Sequence, residues 1–231
     1  MLHAAKSLPW GSIALAILLA SAFATAEPSG NSPPAQDLRS DPRFQEVIDF
    51  GALDLPRLQA VIFGVTNEVR ARHGKKSVRR NALLEIAASG HASRMVEGGF
   101  FSHRDPEPEL ETLAMRVALA GVANGKPAEN IATAFAIRYE HGKRVFVIDK
   151  ERGLFSLTRG GEPIAFHTYL SFADALLAQW MDSPGHRANI LSDNAVELGC
   201  GAAPYRKDGF PKFMAVQVFQ FFAPVQELSG T

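Results

Sequence analysis

The sequence predicts an α+β sandwich in which helices pack on an antiparallel sheet. Three observations carry that prediction. Apolar residues recur at spacings of three and four over residues 55–120 and again over 171–181. Period two replaces that spacing over 136–169. Two further apolar stretches near the end, Val196–Ala202 and Lys212–Phe222, read as strands able to pair around Asp208-Gly209.

The first residues are set aside from fold reasoning. Residues 1–10 carry Lys6 and no acid, Ile13–Phe23 is apolar, and Ala24-Thr25-Ala26 is a small-x-small site. Together these read as a signal peptide over residues 1–26, with an apolar run too short to span a bilayer. The exported chain then starts at Glu27 and keeps no transmembrane anchor. Residues 27–50 begin rich in Ser, Pro, Gly, Gln and Asp and read as a flexible leader, which leaves one domain over 51–226.

The first helix spans Leu55–His73, with Leu58, Val61, Ile62, Val65 and Val69 on one stripe and His73-Gly74 as its stop. The second spans Asn81–Val96 and ends at Gly98-Gly99. His91 shares its apolar face, which makes it a core histidine with a hydrogen-bonded partner. His103 differs, because it follows Phe100-Phe101-Ser102 on a loop and can face a pocket. A third helix is expected over Glu109–Ala120. The short run Ala128-Glu129-Asn130-Ile131-Ala132 reads as a helix start, with the Glu129 carboxylate favoured by the helix dipole.

Arg144–Ile148 and Leu154–Leu157 form a hairpin turning near Lys150–Gly153, and His141 reads as a solvated turn residue. Helical spacing returns over Ser171–Met181, with Phe172, Leu176 and Trp180 on one stripe. Ser183-Pro184-Gly185 stops it, and His186–Leu191 forms a short turn or helix. Cys200, the one cysteine, lies in a strand-like segment with no electropositive neighbour in view, so it reads as a buried structural thiol. The 24 basic and 24 acidic residues balance, with no basic block, which removes nucleic acid from the expected partners.

Four segments in order resemble the bacterial branch of the CAP superfamily, named for cysteine-rich secretory proteins, antigen 5 and pathogenesis-related proteins. They are Asn67-x-x-Arg70, His91-x-x-x-Met95 with Phe101-Ser102-His103, Ala128–Ala132, and the long run Trp180–Leu191. The resemblance covers Leu55 to Phe222. It implies a three-layer α-β-α sandwich with a cleft, and it makes 136–169 an inserted hairpin placed to cover or extend that cleft. It further implies that His103, Glu129 and His186 line the cleft. Where eukaryotic members carry a second glutamate this chain has Ser183, and Asp182 beside it is the candidate substitute, pointing either into the cleft or away from it. The usual glycine before the first glutamate is Ala128, and the eukaryotic members' disulfides are absent.

Two imidazoles and a carboxylate suit a divalent cation such as zinc, with His103 and His186 as the metal ligands. The leading expectation is an exported periplasmic or extracellular module that binds a small molecule, a lipid or a cell-envelope component in the cleft. The alternative is a metal-assisted hydrolase using His103, Glu129 and His186. A third reading treats these three residues as a buried polar network that locks helices to sheet.

Overall fold

The computed structural model describes residues 35–123 and 125–222. The expected signal peptide and the leader up to Pro34 lie outside them. Among the described residues no helix is long and apolar enough to cross a membrane.

Among the described residues seven α-helices and six strands follow one another: α1 (Ala35–Ser40), α2 (Pro42–Gln45), α3 (Leu55–Arg72), β1 (Arg79–Arg80), α4 (Ala82–Glu97), α5 (Leu113–Leu119), β2 (Pro127–Phe135), β3 (Phe146–Asp149), β4 (Leu154–Ser156), α6 (Tyr169–Asp182), α7 (Pro184–Ile190), β5 (Ala195–Lys207) and β6 (Phe210–Phe221). The central sheet has the order β1-β5-β6-β2. It is antiparallel except for the two-residue β1, which runs parallel to β5. The β5–β6 hairpin turns where expected, through Asp208 (φ 54°) and Gly209 (φ 86°). Two successive left-handed residues match the right-handed twist of the paired strands.

Strand alternation divides the interior into two cores. Leu198, Cys200 and Ala202 of β5 and Phe213, Ala215 and Phe219 of β6 face α3 and α6. Ala203 of β5 and Met214, Val216 and Val218 of β6 face α4 and α5. A strand buried on both faces has little polar side to show, which is why β6 is apolar except at Lys212, Gln217 and Gln220. Trp180 is fully buried in the first core and anchors α6.

Local chemistry sets the helix boundaries. Asp54 accepts from Arg57 N at the start of α3, Asn81 from Leu83 N and Leu84 N at α4, and Thr168 forms a reciprocal box with Ser171 at α6. The third expected helix is divided. A 3-10 turn covers Pro108–Leu110, and Thr112 then caps a fresh helix by accepting from Met115 N at 3.2 Å.

Two expectations need correction. The leader does not run to residue 50, because Leu38, Phe44 and Ile48 are buried in the first core, and Ile48 N donates to His167 O at 2.9 Å. A composition average conceals three apolar side chains whose burial is worth about 1.5–3 kcal/mol each. The Ala128–Ala132 run is no helix start: it lies in β2, paired along its length with β6. Its apolar run is continuous because Ile131 enters one core and Ala132 the other, a pattern that periodicity cannot distinguish from a buried helix.

The β3–β4 hairpin forms a separate two-stranded sheet. It packs on the β5–β6 turn, where Phe155 stacks on Phe210 with centroids 3.9 Å apart. That is the far end of β2 from Glu129, since Phe135 pairs with Lys212 whereas Glu129 pairs with Val218. The β3–β4 hairpin therefore lies away from Glu129 and does not cover the expected cleft.

His167 sits where this segment meets α6. Its N–H donates to Ala136 O at 2.9 Å, and its ring Nδ1 is 3.0 Å from Ser171 Oγ. Burial, and secondarily Arg138, lowers the ring's pKa from 6.5 to about 4. Between these values the unfolded chain binds the extra proton, so stability falls as pH drops from 6.5 towards 4 and is insensitive to this group above 6.5. Urea denaturation across that window is expected to give a shallower pH dependence for His167→Asn than for wild type. Some slope should persist, because burial also lowers His91 and His186.

Candidate functional site

The edge strand β2 brings the site residues together. Glu129 is 7% exposed and points with Ile131 towards the α4/α5 layer. Its Oε1 accepts from Arg116 Nη2 and its Oε2 is bonded to His103 Nδ1, each at 2.8 Å. A carboxylate only accepts, so His103 carries its proton on Nδ1 and turns Nε2 outward. The His103 side chain is 56% exposed, against 3% for Glu129 and 4% for Arg116.

Arg116 is the residue that sequence reasoning missed. From α5 its Nη1 donates to the carbonyls of His103 (3.2 Å), Leu110 (3.0 Å) and Glu111 (3.4 Å), so one guanidinium ties the His103 loop to the carboxylate beneath it. Its signal is an arginine on the apolar stripe of Leu113, Val117 and Ala120. The same loop is held from α4. His91 Nε2 donates to Ser102 O at 2.9 Å, and Arg94 pairs with the buried Asp105 at 2.7 Å, keeping that carboxyl below its usual range.

His186 reaches the strand from the opposite layer. Ser183-Pro184-Gly185 ends α6 and opens α7, with Pro184 in the first turn. Asn130 Nδ2 donates to His186 O at 3.2 Å and to Gln217 Oε1 at 3.0 Å, while Gln217 Nε2 donates to Thr66 Oγ1 at 2.7 Å. Asn189 Nδ2 donates to Glu129 O at 3.2 Å and to Asn130 Oδ1 at 2.9 Å. Both asparagines thus fix the loops. The half-buried His186 ring has its pKa lowered first by burial and then by the nearby His103.

His103 and Glu129 are therefore bonded directly, while His186 is tied to the same strand through its carbonyl and lies near enough to His103 for the two rings to interact electrostatically. Asp182 does not join them: it ends α6 exposed, with no hydrogen bond or ion pair to any of the three. Arg187 donates to Met181 O, and Asp193 pairs with Lys75. Arg70, fully enclosed, donates to the carbonyls of Lys76, Ile190 and Ser192, which makes it a brace for the end of α7.

Among the described residues no group of three or more His, Cys, Asp or Glu side chains is arranged to hold a metal ion. The reason is local. Both oxygens of Glu129 are engaged, so the carboxylate that would complete a zinc site with the two imidazoles is occupied by Arg116 and His103. The residues present do not fit a three-ligand zinc centre. Cys200 is fully buried, and burial pushes its thiol well above the usual range.

A search of curated proteins finds no match to this chain. Among solved structures it is similar to an extracellular protein containing a SCP domain from Bacillus anthracis, with 24% identity and a TM-score of 0.50 over 72% of this chain and 41% of that one. It spans less than half of that protein. It is also similar to an outer surface protein from Borrelia burgdorferi, with 13% identity and a TM-score of 0.47 over 78% of this chain and 99% of that one. The family model described as "Cysteine-rich secretory protein family" matches residues 63–219, more than half of the 231-residue chain. That match contains the His103 loop, the β2 segment and the run from Trp180 to Leu191, and the chain belongs to the CAP family.

Proposed function

We propose that this chain is an exported binding domain whose cleft, walled by His103, Glu129 and His186, holds a small molecule, a lipid or a cell-envelope component. The observation that carries this reading is the state of Glu129. Its two oxygens are engaged by Arg116 and His103, so it positions an imidazole instead of activating water. The outward Nε2 of His103 and the ring of His186 are then the polar contacts offered to a ligand, beside a strand edge with no thiol nucleophile within reach.

Hydrolysis is the second reading, and one feature favours it. A carboxylate bonded to Nδ1 with Nε2 directed outward is how an acid orients a general base. One experiment separates the two. Phosphatidylglycerol vesicles and soluble muropeptides are titrated into the protein and into a His103→Ala, His186→Ala double variant, with turnover followed in parallel. Saturable binding of one probe, weakened about tenfold or more in the double variant without turnover, is the expected result. Muropeptide turnover that vanishes in the variant overturns binding in favour of hydrolysis, and binding indifferent to both rings removes the cleft altogether.

A further inference from the structure

A cavity lies at the opposite end of β2 from Glu129. Its volume is about 370 Å³, within the usual range for small-molecule sites. The end of β2, α6 at Phe172, Ala175 and Gln179, and residues 137–141 border this half-open pocket. Its apolar wall includes the rings of Phe135, Tyr139 and Phe172. Phe135 and Tyr139 pack edge to face with centroids 4.9 Å apart, so this part of the wall is rigid. Thr133, the first residue of β2 to line the cavity, lies four positions after Glu129, roughly 13 Å of extended chain.

Every titratable side chain in the lining other than Tyr139 is a base: Lys212, His141 and His167. Lys212 decides the chemistry. It stands opposite Phe135 on β2 and Tyr205 on β5 in the strand register. Its Nζ is 4.5 Å from the Phe135 ring centroid and 5.8 Å from that of Tyr205. Among the described residues it makes no ion pair or hydrogen bond, and the nearby Asp208 acts only at longer range. Burial, reinforced by Lys207, lowers its pKa, the response of an ammonium that has lost water without gaining a counter-ion. Two aromatic faces already serve the cation, so a further cation in the cavity would meet only like charge.

We propose that this cavity is a second ligand site, separate from the His103 cleft, which takes a small aromatic carboxylate: the ring lies against the aromatic wall and the carboxylate on Lys212. A neutral ring would fill the slot but leave the ammonium without a counter-ion. An aliphatic anion would satisfy Lys212 but forgo the wall. Gln179, whose amide reaches Thr133 O at 3.4 Å, is a second donor at the rim.

The test uses 2-naphthoate as probe and 2-naphthalenemethanol as its uncharged counterpart, with binding followed by calorimetry and probe fluorescence. Naphthoate is expected to bind one to one, about tenfold or more tightly than the alcohol. Lys212→Met, which keeps an apolar stem between Phe135 and Tyr205, should erase that preference. Ala175→Trp should weaken both probes about tenfold by filling the cavity from an exposed position on α6. The His103→Ala, His186→Ala double variant should bind naphthoate as wild type does. Absence of saturable naphthoate binding, equal affinity for acid and alcohol, or a preference that survives Lys212→Met would overturn the proposal. If Lys212→Met does not fold, the comparison of acid with alcohol and the Ala175→Trp variant still decide it.

Discussion

Replacing Gly199 and Gly201 together by alanine is expected to leave the protein unfolded in buffer. The two glycines lie two residues apart on β5, on the face that meets α4. A Cβ at Gly199 would stand 2.2 Å from both Glu85 N and Leu84 C, and one at Gly201 would stand 2.3 Å from Ser89 N and 2.4 Å from Ala88 C. These are main-chain atoms one helical turn apart, so no side-chain rotation relieves the overlap. The helix must lift by about 1 Å or more to reach ordinary van der Waals separation. Lifting it opens the second core, where Leu84, Ala88 and Met95 are fully buried.

Each single substitution should cost about 3 kcal/mol or more, the upper end of the usual range for overpacking. Their sum approaches the total stability of a domain this size, about 5–15 kcal/mol. Urea denaturation followed by circular dichroism measures both. Gly90→Ala is the control: it lies on the exposed side of α4 with open space around the added methyl. There the greater helix propensity of alanine should stabilise the protein by about 0.5–1 kcal/mol. A Gly201→Ala protein that unfolds at the wild-type urea midpoint would show that α4 does not lie against the backbone of β5.

Arg116→Met is the second substitution with a large expected effect. It leaves the Glu129 carboxylate, 3% exposed, without its buried partner and takes the donor from three loop carbonyls at once. Breaking a buried pair from one side costs about 3–5 kcal/mol, because the remaining charge stays desolvated. Adding Glu129→Gln should recover a substantial part of that loss by removing the charge, and a double-mutant cycle on urea midpoints reads the coupling directly. A single variant as stable as wild type would mean that His103 alone satisfies the carboxylate. The site would then rest on one hydrogen bond instead of an arginine brace.

Much of this was legible along the chain. The stripes of α3, α4 and α6 were visible because each buries one face, and that pattern repeats at helical spacing. The Asp208-Gly209 turn was visible because left-handed residues have few chemical choices. His91 and Cys200 were readable as core residues from their neighbours. Glu129 was misread at the level of local structure because β2 is buried on both faces and has no alternation to detect. The three-residue foothold of Leu38, Phe44 and Ile48 was lost in a segment whose average composition is polar.

The sequence by itself determined the layers, the order of the elements and the four ordered segments that mark the family, because each depends on residues close together in the chain. Only the tertiary structure decided that Arg116 occupies Glu129, that Asp182 stays outside, and that residues 137–141, before the β3–β4 hairpin, line a cavity at the far end of β2. Those facts concern which side chains meet across 13 residues for Arg116 and Glu129, or 77 for Phe135 and Lys212. Such meetings are set by strand register and helix placement, which depend on the whole packed core and leave no local periodicity to read.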